Sequence, residues 1–124
     1  MTLRDLHADC AWVVVGANAA VGAWALAAHW VEGLRSRHLW RATVLAELTI
    51  VVQVLSGVAL VTLDDAEVAQ FHAFYGFVAL ATIGIVYSYR HQLREHLYVL
   101  YGLGGLFLMG LALRAISISP IPSP

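Results

Sequence analysis

The chain has 124 residues, of which 60% are hydrophobic and 12% charged; its formal net charge is −1 and it contains no lysine. A mean hydropathy of +0.76 belongs to a membrane chain rather than to a soluble core. The weak negative balance, without any basic run, argues against a nucleic-acid-binding surface.

Four apolar stretches are predicted as spans, at 10–31, 42–63, 68–89 and 97–117. Each is close to the ~20 residues a helix needs to cross ~30 Å of hydrocarbon. Short connections make neighbouring helices antiparallel, so the expected fold is all-α, one domain over 1–124, a four-transmembrane-helix up-down-up-down bundle in the lipid bilayer.

The leader Met1–Asp9 has no positive excess, and the apolar segment after it is long. Although Leu26-Ala27-Ala28 has the small residues of a cleavage site, the first stretch therefore reads as a permanent helix. Cys10 has no intrachain partner and reads as a small buried hydrophobe. The link after the first span carries Arg35 and Arg37, Arg41 opens the second span, and the link after the third carries Arg90 and Arg94. Arg4 and Arg114 lie on the other side, with Asp64, Asp65 and Glu67. That asymmetry predicts the basic links in the cytoplasm and both termini outside.

In the second span, Gln53 is a polar residue in apolar sequence, and Gly57 follows one turn later. Glu47 is about 9 Å into the same span from its basic end, where an unpaired carboxylate is costly. Arg90 or Arg94 could reach it, and Tyr87, Tyr89, Tyr98 and Tyr101 are expected at similar depth. A proton or quinone-headgroup site and a tethered helix end are the two readings of Glu47, with the structural one preferred. In the third span His72 is surrounded by Phe71, Phe74, Tyr75 and Phe77, which suit either the walls of a cofactor site or an outer aromatic belt. The tail 118–124 has three prolines and is expected to be extended.

Leu6-His7-Ala8 echoes Phe71-His72-Ala73, and His38-Leu39-Trp40 echoes His96-Leu97-Tyr98. In an up-down bundle the first and third helices are diagonal and begin on one side, so His7 and His72 can face each other across the axis. Two neutral imidazoles from opposite helices suit a six-coordinate haem. His38 and His96 form a weaker candidate pair on the inner side. His29 and His91, like those two, read first as interfacial anchors. Gly16, Gly22, Gly76, Gly105 and Gly110 read as packing glycines, a role open to Gly57 as well. There is no Cys-x-x-Cys, His-x-x-x-His, phosphate-binding glycine loop or Ser-His-Asp arrangement.

The stretch Val51-Val52-Gln53-Val54-Leu55-Ser56-Gly57, followed by a short link and His72-Ala73, resembles the repeated half of the haem A synthase family (haem O oxidases). The resemblance runs from about Leu6 to Tyr89, with the fourth helix alike only in hydrophobicity. It implies a four-helix bundle in a bacterial-type inner (plasma) membrane, with His7 and His72 as axial metal ligands of a b-type haem (haem b). It also implies that Gln53 and Gly57 lie where the second helix passes the cofactor.

The family's catalytic half has a glutamate one turn before the first histidine and an arginine directly after it; here those places hold Arg4 and Ala8, with Asp5 and Asp9 nearby. The expectation is thus an electron-transfer or haem-handling module. If the chain is an enzyme, it would be a haem A synthase-like oxidoreductase, with Asp5 or Asp9 replacing the glutamate in a homodimer. The alternative is a cofactor-free accessory or assembly subunit of a larger respiratory complex, packed through its small-residue faces.

Overall fold

The computed structural model describes residues 1–118. Among them there are four long helices and no strand: α1 (Leu3–Trp30), α2 (Arg37–Leu63), α3 (Gln70–Ser88) and α4 (Leu97–Ser117). All four are long and apolar enough to cross a membrane. Short 3-10 turns at Glu32–Leu34 and Arg94–His96 interrupt the two arginine-bearing links.

The helices begin where their caps dictate. Thr2 and Asp5 form a reciprocal capping box, Thr2 Oγ1 accepting from the Asp5 amide and Asp5 from the Thr2 amide, so α1 starts seven residues before its apolar run. Ser36 caps α2 by accepting from the His38 amide. Asp64 closes α2, and Asp65 adopts a positive φ of 51° as the chain leaves it, a conformation that aspartate tolerates better than most residues. Ile118 closes α4. The remainder of the expected extended tail, 119–124, lies outside the described residues.

The helices do not pack equally. α1 lies most extensively against α4 and next against α2; α3 lies against α4 and touches α2 only lightly. Glycine explains the tightest seam. A Cβ on Gly22 would stand 2.9 Å from the Leu106 amide nitrogen, one on Gly105 2.9 Å from the Gly22 Cα, and one on Gly102 2.8 Å from the Leu26 backbone. The α1 and α4 backbones are therefore in direct contact. With little hydrophobic drive between helices in lipid, such close van der Waals packing is what holds them together. Gly16 and Gly110 face open space and Gly76 meets only Val54 at 3.9 Å, so of the expected packing glycines Gly22 and Gly105 act that way, with Gly102 as an addition.

Buried Val14, Ile50, Ala79, Leu108 and Leu111 bring all four helices into one core, with a second cluster of Ala25, Ala28 and Leu39 toward the arginine-bearing end. Asn18, 1% exposed, lies among them and donates to the carbonyls of Val14 and Ala46, joining α1 to α2. Most other large apolar side chains point outward, as a lipid environment requires.

Candidate functional site: a histidine pair at one end of the bundle

His7 is on the second turn of α1 and His72 on the first turn of α3. Their ring centroids are 6.2 Å apart and their planes meet at 66°. The early start of α1 is what carries His7 to this depth. Both rings are half-buried.

Each ring is held by its Nδ1. That of His72 lies 2.8 Å from the Ala115 carbonyl oxygen, near the end of α4. A carbonyl can only accept, so this nitrogen carries the proton. Nδ1 of His7 lies 2.7 Å from Ser56 Oγ, whose single hydrogen is already donated to the Gln53 carbonyl at 2.8 Å. Ser56 must accept, so Nδ1 of His7 is protonated as well. In both neutral imidazoles the lone pair then resides on Nε2. Such second partners fix the tautomer and raise the basicity of ligating histidines.

The spacing suits one metal between the rings. With metal–nitrogen bonds of about 2.0–2.1 Å, two imidazoles bound trans to one ion have centroids about 6.2 Å apart. Among the described residues no group of three or more His, Cys, Asp or Glu converges on a metal position. With no third protein donor beside them, the two histidines suit a metal that brings its other ligands with it, as in a porphyrin.

Gly57 and Gln53 both face His7 from α2. A Cβ at Gly57 would lie 3.1 Å from His7 Cε1, so the absence of a side chain there makes room for the imidazole. Gln53 Nε2 donates to the backbone oxygen of His7 at 2.6 Å. Its Oε1 is buried without a partner among the described residues. Gln53 thus anchors the backbone of His7 rather than a ring nitrogen, the task taken by Ser56. Sequence reasoning passed over Ser56, though its place three residues after Gln53 and directly before Gly57 puts it on the same face.

The aromatic residues around His72 divide. Phe71, Phe74 and Phe77 are 67%, 54% and 69% exposed and form an outward belt, while Tyr75 packs on the core. The contact between α2 and α3 is lighter than that of α1 with α2 or of α3 with α4. Asp5 is committed to the α1 cap, and Arg4 and Asp9 are exposed.

Deeper in the bundle, Glu47 is half-buried beside Asn18, Thr43 and Tyr101 around a crevice with room for about a single water. Among the described residues it makes no ion pair. Arg90, one expected partner, donates instead to the Tyr87 carbonyl and covers the Tyr87 ring at 3.6 Å. Tyr87 and Tyr89 are largely exposed, and Tyr98 stacks with Trp40 and Arg35, so of the four tyrosines Tyr101 alone lines this crevice.

At the arginine-bearing end the expected partnership of His38 and His96 is replaced by another. The ring found near His96 is His29, with centroids 6.3 Å apart. The cause is the tight α1–α4 seam, which brings the end of α1 to the start of α4.

No family model, curated protein or solved structure matches the chain.

Proposed function

We propose that this chain is a membrane haem-binding protein, holding one b-type haem through His7 and His72 and serving in electron transfer or haem handling. The observation that carries the reading is the 6.2 Å separation of two rings whose Nε2 atoms hold the lone pairs. A bound haem b would supply one-electron iron chemistry. The chain's own contribution is positional: Ser56 and the Ala115 carbonyl orient the rings, Gly57 gives His7 its space, and Gln53 ties the start of α1 to α2. The similarity to half of a haem A synthase points the same way, but Arg4 and Ala8 stand where that family's oxidising half has glutamate and arginine. Electron carriage or haem handling is therefore the better reading than haem oxidation. The arginine distribution supports placing the histidine pair at the outer face, with Arg35, Arg37, Arg41, Arg90 and Arg94 in the cytoplasm.

The test is an absorption spectrum of the detergent-solubilised protein. A Soret band, lost in His72→Ala and in His7→Ala, is expected. A colourless protein that co-purifies with other membrane subunits would instead favour the accessory role, for which the open faces at Gly16, Gly84 and Gly110 are suited.

A further inference from the structure

The second histidine pair differs from the first in one decisive respect. His7 and His72 come from α1 and α3, helices that share little direct packing, whereas His29 and His96 come from the end of α1 and the start of α4, neighbours whose backbones touch. Leu26, one turn before His29, is within 2.8 Å of where a Gly102 Cβ would stand. No macrocycle fits between helices at that distance. A single ion does.

We propose that His29 and His96 form a binding site for one divalent first-row transition ion, such as Cu2+, Zn2+ or Ni2+, completed by water. Imidazole nitrogen is a good donor to each of these ions. Two imidazoles on one ion have centroids about 5 Å apart at a tetrahedral angle and about 6.2 Å apart when trans, given bonds of about 2.0–2.1 Å. The observed 6.3 Å is at the open end of that range, and the rings are stacked with planes inclined by 26°, so the His96 ring has to turn for a nitrogen of each to reach one ion. His96 is exposed and precedes the first residue of α4, so its side chain has freedom to close on the ion; His29 is half-buried and its ring is held edge-on by Trp30 at 4.8 Å.

The surroundings define what kind of binding to expect. Arg35 donates to the carbonyls of Ala28 and His29 and lies over Tyr98, so one positive charge already occupies the carbonyl end of α1. That charge opposes a second cation and makes this a reversible site rather than a permanent structural one. Metal binding would clamp the end of α1 to the start of α4. The inference does not depend on haem at His7 and His72.

The experiment uses the full chain in detergent, without a polyhistidine tag, titrated with Cu2+ and read by electron paramagnetic resonance. One copper per chain with nitrogen hyperfine splitting from two imidazoles is expected. His29→Gln and His96→Gln should each weaken binding by at least about tenfold, in line with the loss of one ligand. His38→Gln should leave it unchanged. Elution of the metal-free variants as the parent protein establishes that they fold. Copper binding indifferent to both His29→Gln and His96→Gln, or a second haem lost in those variants, would overturn the proposal. Persistence of copper binding in His72→Ala together with loss of its Soret band would separate the two sites directly.

Discussion

Gly57 lies against the imidazole of His7, with 3.1 Å between His7 Cε1 and the point where a Cβ at position 57 would stand. The contact joins the end of α2 to the start of α1, and it makes the position of one ring depend on the smallness of one residue. Gly57→Ala should push the His7 ring by a few tenths of an ångström and weaken the Soret band. Gly57→Leu should abolish it, since overpacking costs about 1–3 kcal/mol and the ring has to leave. Parallel melting curves separate loss of the site from loss of the fold; a Soret band unchanged in Gly57→Leu would refute this account of the glycine.

Ser56 Oγ accepts a hydrogen bond from the His7 Nδ1–H. Ser56→Ala removes that acceptor and leaves the ring free to turn or to change tautomer. Haem affinity is expected to fall by about 10–100-fold, the usual cost of a lost partner behind a metal ligand. Titration of the apoprotein with haemin measures it, and Ser56→Thr should rescue most of the loss.

Gln53 ties α1 to α2 through the His7 carbonyl. Gln53→Leu should destabilise the bundle by about 1 kcal/mol, a typical hydrogen bond between membrane helices. The unpartnered Oε1 lowers the net cost, because the leucine also removes a buried acceptor without a donor. Unfolding in mixed micelles by sodium dodecyl sulfate reads the difference.

Gly22, Gly102 and Gly105 hold α1 to α4 backbone to backbone. Gly105→Val should separate the helices and cost about 3 kcal/mol or more, since the obstacle is backbone and cannot swing aside. Gly110→Ala meets nothing and should stabilise its helix slightly, by up to about 1 kcal/mol. Equal melting of the two variants would argue against glycine-mediated contact.

Glu47 makes no ion pair among the described residues, so removal of its charge leaves no partner stranded. Glu47→Gln should fold as well as the parent or better, whereas Glu47→Lys should fail to accumulate in the membrane. A severe folding defect in Glu47→Gln would mean that the carboxylate holds the helices together.

The residue order alone determined the number of helices, their approximate extents and their destination in lipid, because hydrocarbon thickness and backbone hydrogen bonding permit few other solutions for four such stretches. It also singled out His7, His72, Gln53 and Gly57, since two histidines opening opposite helices and a polar residue one turn from a glycine are local patterns. What it left undecided depends on which faces meet. The cap at Thr2 extends α1 beyond its apolar run and sets the depth of His7, and the protonation of both rings follows from Ser56 and the Ala115 carbonyl, 49 and 43 residues away. The glycines of α1 and α4 carry no signal of which helix they touch. Only their contact shows why His96 meets His29 instead of His38, because helix rotation and crossing are set by packing between segments distant in the chain.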